Sequence, residues 1–439
     1  MNNTVMIPAA QLDLFANSQG GTNQRLNGVA NKLAASDRRF HNWYRFVLSF
    51  PPHLVREYFT RFSLKKGATI LDPFCGTGTT LVEAKLHGFK SVGIEANPVA
   101  HFASSVKLDW QADAEGLIKH ATLIANAAQK ALSSKSSLAL RALPDEAAAL
   151  LLKDSISPLP LHKALVLLEQ IQRQAHPIFD RYEKLALAKA LVFSISNLHF
   201  GPEVGVQRVK KTDAHVIESW LAEVKAIAVD LRLAPPAETS ATVHHADARQ
   251  LAALVPPQSI DAVFTSPPYP NEKDYTRTTR LEAVLLGFIQ NKEELRALKK
   301  GLLRSNTRNV YKGDDDETWV ADHAEIQAIA AEIENRRIAL GKTSGFERLY
   351  GKVTKLYFGG MARHLAELRP LLKPGAQLGY VVGDQASYLQ VMIRTGRLLA
   401  EIAQSLGYRV VGIDLFRTRL ATATRQQLRE EVVILQWPG

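Results

Sequence analysis

Cysteine is almost absent. Cys75 is the one thiol in 439 residues, so neither an internal disulfide framework nor a thiolate zinc site can be built from this sequence. Long apolar runs are missing too: no stretch approaches the roughly 18 unbroken apolar residues of a membrane span. The start, Met1-Asn-Asn-Thr-Val-Met-Ile-Pro8, has no basic segment followed by an apolar core, so no signal peptide is expected. These absences point to a reducing cytoplasm and to no membrane partner. There is no internal repeat. Acid is in deficit, with 43 Asp and Glu against 54 Lys and Arg, giving a net charge of +11 and a pI near 9.5. Such an excess suits a polyanion partner and equally suits a soluble basic protein, because charge bears on association and not on fold. With 46% hydrophobic and 22% charged residues the composition is ordinary for a globular chain, with room for a catalytic core and a further domain.

Along the chain, residues 1–37 are polar and rich in Asn, Gln and Ser, and read as a weakly ordered arm with a short apolar patch at Leu12–Phe15. Order is expected from Arg38-Arg-Phe-His-Asn-Trp-Tyr44. A Pro-initiated amphipathic helix follows within Leu48–Phe59. Residues 38–106 then read as the first part of an α/β core: strand Thr69–Asp72, helix Thr79–His87 closed by Gly88, and strand Lys90–Glu95. Residues 107–238 read as a helical insertion, with Leu161, Leu165, Leu168 and Ile171 at helical spacing, as are Leu185, Ala188, Val192 and Ile195. The core resumes over 239–287 with strands Thr242–Asp247 and Ile260–Thr265. A basic insertion spans 288–352, and 353–439 closes the core. That last part is read as helix Met361–Leu372 stopped by Lys373-Pro-Gly375, strand Gln377–Val382, helix Leu398–Leu406, and a strand pair at Arg409–Asp414 and Glu431–Gln436.

Two stretches carry chemistry. Thr69-Ile-Leu-Asp-Pro-Phe-Cys-Gly-Thr-Gly-Thr-Thr80 is an apolar strand that breaks into a glycine turn and then a helix. Thr265-Ser-Pro-Pro-Tyr269 closes another apolar strand, and in a doubly wound sheet such strand ends converge on one crevice where ligands bind. Gly76 and Gly78 let the backbone approach a ligand and present amide groups to it. Glu95 ends the next strand about 20 residues on, where an acid can take ribose hydroxyls. Two rival motifs fail: the third glycine of a dinucleotide fingerprint is missing, since Leu81 follows Thr79-Thr80, and no Gly-Lys-Ser/Thr completes a Walker turn. Asp247, in Ala246-Asp-Ala-Arg249, reads equally as a helix cap. Asn97-Pro98 reads as a turn into a helix, and Asp274 and Tyr275 read more readily as loop surface than as pocket.

Asp72-Pro-Phe-Cys-Gly-Thr-Gly78 resembles motif I of S-adenosylmethionine-dependent DNA amino-methyltransferases, and Ser266-Pro-Pro-Tyr269 resembles their motif IV in the form common among N4-cytosine enzymes. The resemblance covers residues 38–105, 240–287 and 360–439. It implies a class I methyltransferase fold: α/β, doubly wound and mostly parallel, Rossmann-like, with helical insertions. It implies S-adenosylmethionine as cofactor and double-stranded DNA in a prokaryotic cytoplasm as substrate. Asp72, Phe74, Cys75, Gly76, Gly78 and Thr80 would border the methionine portion, Glu95 and Ala96 the ribose, and Asp247 and Ala248 the adenine. The helix before motif I resembles motif X, which helps enclose the methionine end, and it fits equally a helix that merely covers the sheet. Cys75 sits inside the cofactor turn, so covalent C5 chemistry is not expected of it, and it reads as a small residue in a tight turn.

An exocyclic amino group is a poor nucleophile because its lone pair is delocalised into the ring. Ser266 offers a hydroxyl acceptor and Pro267 a carbonyl on a backbone stiffened by Pro268, so the nitrogen can be oriented in line with a methyl sulfonium. Tyr269 supplies an aromatic face for a base flipped out of the duplex. In the family, serine at the first motif position leans towards cytosine N4. Adenine N6, a structured RNA base, or nucleic-acid binding without catalysis are the alternatives. The motif order is linear, unlike the permuted order common in N4-cytosine enzymes. No C-terminal recognition domain is expected after the last strand, so target reading is expected in one or both insertions, with Lys299, Lys300, Arg304, Asn306, Arg308, Asn309 and Lys312 as DNA-contact candidates. No metal site is expected. A partner nuclease or defence protein is left open.

Overall fold

Alternating strand and helix signals of this kind should give a layered α/β sheet, and the computed structural model has one. It describes residues 33–46, 49–134, 139–200, 203–236, 239–271, 273–421 and 426–439. Most of the expected arm, including Leu12–Phe15, lies outside these residues. Phe40, Trp43 and Tyr44 are buried, so packing begins where the aromatic cluster was expected to start it.

The core runs α1 (Pro52–Arg61), β1 (Thr69–Asp72), α2 (Thr79–Leu86), β2 (Lys90–Glu95) and α3 (Pro98–Lys107). The first insertion adds α4 (Ala114–Ser133), α5 (Asp145–Ala148), α6 (Pro158–Arg173), α7 (Asp180–Ala190), β3 (Leu198–Phe200), β4 (Val204–Val206) and α8 (Val216–Arg232). Then come β5 (Ala241–His245), β6 (Ile260–Thr265), α9 (Tyr275–Thr278), α10 (Arg280–Leu285), α11 (Lys292–Lys300), α12 (Ala324–Ala339) and α13 (Tyr350–Leu368). The chain closes with β7 (Leu372–Gly383), α14 (Thr395–Ser405), β8 (Arg409–Leu420) and β9 (Gln427–Gln436).

Seven strands form one sheet in the order β5-β2-β1-β6-β7-β9-β8. Pairings are parallel from β5 to β7, and β9 runs antiparallel to both neighbours. From β1 the chain steps outward through β2 to β5, then returns to β6 on the other side of β1. That reversal puts the topological switch point between the carboxyl ends of β1 and β6, the two strands that end in the chemistry-bearing stretches.

Two expectations are corrected. The first insertion is not helical throughout: Leu198–Phe200 and Val204–Val206 pair as an antiparallel hairpin, with Gly201-Pro202 between them. The helix expected from Met361 starts at Tyr350 and ends at Leu368, and Lys373-Pro-Gly375 lies within β7. The α1 helix covers the sheet with Val55, Tyr58 and Phe59, while the preceding Phe46, Ser49 and Phe50 reach the cavity described below. The helices of the first insertion share one hydrophobic core with α2 and α3, and α12, α13 and α14 share another with the central strands.

Candidate functional site

At the switch point lies a cavity of about 640 Å³. From the first stretch, Phe74, Cys75 and Gly76 line it, together with Glu95, Ala96, Asp247 and Ala248. Ser266, Pro267, Pro268 and Tyr269 line it as well, so strand ends about 190 residues apart in sequence converge on one space.

The glycine turn is built by backbone that only glycine adopts easily. Gly76 and Gly78 have φ of 51° and 83°, and a Cβ on Gly78 would sit 3.0 Å from Cβ of Ser104. The Gly76 N–H donates to Oε2 of Glu95 at 2.8 Å, and the Asn97 N–H donates to Oε1 at 2.7 Å. Burial pushes the Glu95 carboxyl up to about 7 against these two donors. A carboxylate has about four acceptor positions, so Glu95 keeps capacity for hydroxyl donors in the cavity. Asn97 caps α3 through Val99 N–H and donates to Oγ1 of Thr279 at 3.1 Å, tying that helix to the segment after Tyr269.

Asp72, Gly78 and Thr80 are not on the cavity wall. Asp72 is fully buried, and its Oδ1 accepts from Oγ1 of Thr265 at 2.6 Å and from Phe74 N–H at 3.2 Å. Its Oδ2 has no partner, and burial pushes the carboxyl up to about 6. Thr80 Oγ1 donates to the Phe264 carbonyl at 3.1 Å. Asp72 and Thr80 therefore fasten the first stretch to the second from behind. Cys75 packs against Gly93, where a Cβ would lie 3.0 Å from its sulfur, and burial pushes its thiol well up. Such a thiol is not a nucleophile.

Asp247 is not a free acceptor. Its carboxylate takes Arg249 Nε at 3.0 and 3.1 Å and a terminal guanidinium nitrogen at 2.6 Å. Arg249 also donates to Asp316 at 2.5 Å and to the Leu302 carbonyl at 3.4 Å, so it clamps the second insertion to the cavity. His364 does the same for Ala248: its Nδ1 lies 2.8 Å from that carbonyl and its Nε2 2.8 Å from the Tyr380 hydroxyl. Burial lowers His364 to about 4, so the ring is neutral. Lys107, fully buried, donates to the carbonyls of Thr77 at 2.5 Å and Tyr44 at 3.3 Å. Arg249 falls in the Ala-Asp-Ala-Arg stretch and was readable as a partner for Asp247, whereas His364 and Lys107 sit on helices with no local signal.

On the other wall, Ser266 Oγ donates to the Val381 carbonyl at 3.1 Å, which leaves its lone pairs as acceptors. The Tyr269 ring lies where a side chain at Gly383 would be, 2.9 Å from such a Cβ, and burial pushes its phenol up. Asp274 and Tyr275 both line the cavity, contrary to the loop-surface reading. Burial resists ionisation of Asp274, but Lys299 at 2.8 Å and the Thr276 hydroxyl hold it below the usual range.

The basic insertion is only partly available to DNA. Lys299 is held by Asp274, and buried Arg304 is held by Asp314 at 2.8 and 2.9 Å and by backbone carbonyls. Asn306 is buried, capping the Thr307–Asn309 turn and donating to the Lys273 carbonyl. These three act inside the fold because acids and carbonyls already saturate them. Asn309 lines the cavity, Arg308 lies against Phe346, and Lys300 and Lys312 are exposed. Among the described residues no acid, His and Cys cluster could hold a metal, and no helix is long and apolar enough to cross a membrane.

Sheet order, switch-point cavity and glycine turn together define a class I methyltransferase architecture. Residues 23–104 match the model of the N6/N4 methyltransferase family, described as DNA methylase. The chain is 27% identical to the Type II methyltransferase M.BsoBI of Geobacillus stearothermophilus, over 92% of this chain and 87% of that one. It is 23% identical to the Type II methyltransferase M.AvaI of a Nostoc species, over 91% and 86%. A 71-residue stretch is 38% identical to M.MjaII of Methanocaldococcus jannaschii, over 16% and 13%. The chain is thus similar to Type II methyltransferases along nearly its whole length and to the N6/N4 DNA methylase family over residues 23–104, as its motifs led us to expect, and S-adenosylmethionine is its cofactor. The residues present fit that group: a glycine turn open to close approach, and a half-satisfied carboxylate for hydroxyls.

Proposed function

We propose that this protein is a site-specific DNA methyltransferase acting on the exocyclic amino group of a flipped-out base, with cytosine N4 as the target. One observation carries the reading: the acid-lined glycine turn and Ser266–Tyr269 share a single cavity. S-adenosylmethionine supplies an electrophilic methyl group on its sulfonium. Phe74, Cys75 and Gly76 border its methionine portion, Glu95 accepts from the ribose hydroxyls, and Ala246–Ala248, held by the Asp247–Arg249 pair, border the adenine.

The Ser266 hydroxyl already donates to the Val381 carbonyl, so it meets the target amino group as an acceptor. The Pro267 carbonyl is a second acceptor on rigid backbone. Two acceptors orient the nitrogen and favour its pyramidal form, and the site does so before the base arrives. Tyr269 offers a face for the base. Methylation would leave a cationic, acidic nitrogen whose proton passes to solvent water, so hydrogen-bond acceptors suffice where a strong base would otherwise be needed. Serine in the first position of the motif supports cytosine N4. Lys300 and Lys312 contact DNA from the second insertion, and the likeness to Type II methyltransferases supports a restriction–modification setting with a partner nuclease.

The test is transfer from S-adenosylmethionine labelled on its methyl group, with DNA and RNA in parallel. Label in DNA is the expected result. Label in RNA alone moves the substrate class, and label in neither, with the cofactor bound, leaves a nucleic-acid-binding protein.

A further inference from the structure

The first insertion does more than cover the sheet. Its β3–β4 hairpin overhangs the cavity, which Phe200, Glu203 and Val204 help to line. Directly after β4 the chain reads Gln207-Arg208-Val209-Lys210-Lys211. At about 3.3 Å per residue, Arg208 lies within about 13 Å of Val204, past the end of β4 that pairs with Leu198.

This strap is built and held. Asn197, 1% exposed, accepts the Gln207 N–H on its carbonyl at 2.8 Å and the Lys211 N–H on its Oδ1 at 2.8 Å. The Asn197 amide is fixed in turn by the Asp154 carbonyl and the Ser157 hydroxyl, both at 3.0 Å. The strap's charge is unspent. Arg208 is exposed, and Lys210 and Lys211 make contacts to backbone carbonyls only, those of Gln207 and Ser194. The nearby acids are engaged elsewhere: Asp213 with Lys163, and Glu203 at 4.0 Å from Arg277. Val209, 84% exposed, stands in solvent between two cations and serves no core.

A rigid basic strap on the insertion that walls the cavity, with an apolar side chain at its centre, has the chemistry of a sugar–phosphate contact. We infer that Arg208–Lys211 grips the backbone of DNA whose target base enters the cavity, so that the first insertion is a DNA-binding element. This rests on the functional reading above. It also explains how DNA is held although Lys299 and Arg304 of the other insertion are spent inside the fold.

The test compares wild-type protein with R208A/K210A and with R208K/K210R. A fluorescein-labelled random-sequence duplex is titrated across salt concentrations, alongside calorimetric binding of S-adenosylmethionine. R208A/K210A should lose about tenfold or more in DNA affinity, and the slope of log affinity against log salt should fall by about 1.8, two phosphates' worth. R208K/K210R should keep the affinity, and cofactor binding should be unchanged in both. Wild-type affinity and slope in R208A/K210A, in a protein that binds and methylates DNA, overturn the inference. A wild-type protein that neither binds nor methylates DNA overturns the functional reading, and this inference with it.

Discussion

Ser266 and Glu95 divide the labour of the cavity: one meets the base, the other the cofactor. Ser266→Ala removes an acceptor for the reacting amino group and no contact to the cofactor, so kcat should fall on the order of a hundredfold while calorimetric affinity for S-adenosylmethionine is retained. Complete loss of cofactor binding would contradict that assignment. Glu95 predicts a pH dependence. Its pKa near 7 lies above the ordinary 4.5, so the fold favours the protonated form. The stability it contributes is present below about 4.5 and lost as pH rises through about 7. Cofactor affinity runs the other way, because the carboxylate is the better acceptor. Affinity should therefore rise with pH through about 7, and Glu95→Gln should flatten that rise and weaken binding. An identical profile in the variant would remove Glu95 from the site. At this scale the sequence set Glu95, Asp247 and Ser266 at or just past strand ends, and all three lie on one cavity. It was read less well where burial decides the role: Asp72 and Thr80 fasten strands together, and Arg304 fills its own bonds.

Among the elements, α13 and the turn Asp316–Val320 show how the second insertion is attached. A Cβ on Gly359 would lie 1.8 Å from the Asp316 carbonyl oxygen, so helix and turn meet backbone to backbone. Arg249 and Arg363 hold the Asp316 carboxylate from either side, at 2.5 and 3.2 Å. Gly359→Ala should push the turn off the helix and cost about 2 kcal/mol or more, read as a lower urea midpoint. An unchanged midpoint would mean that the turn is not seated as described. The strands at Thr69–Asp72, Lys90–Glu95 and Ile260–Thr265 were legible to the residue, because each is a short apolar run cut off by a turn motif. The β3–β4 hairpin was not, because three-residue strands carry too little alternation to stand out in a largely helical insertion.

For the whole molecule, the alternating strand and helix signals pointed to an α/β core, and the resemblance implied the doubly wound sheet on which two distant stretches converge. What surrounds the cavity did not follow, because both insertions contribute walls through packing that no local signal encodes. The central claim is the transfer of a methyl group to cytosine N4 of DNA in that cavity. Nucleoside mass spectrometry of unmethylated DNA, after incubation with the purified protein and S-adenosylmethionine, tests it most directly. The account predicts N4-methylcytosine, absent when Ser266→Ala replaces the wild type at equal enzyme and short times. N6-methyladenine in its place, or DNA left unmodified by a protein that binds the cofactor, would contradict it.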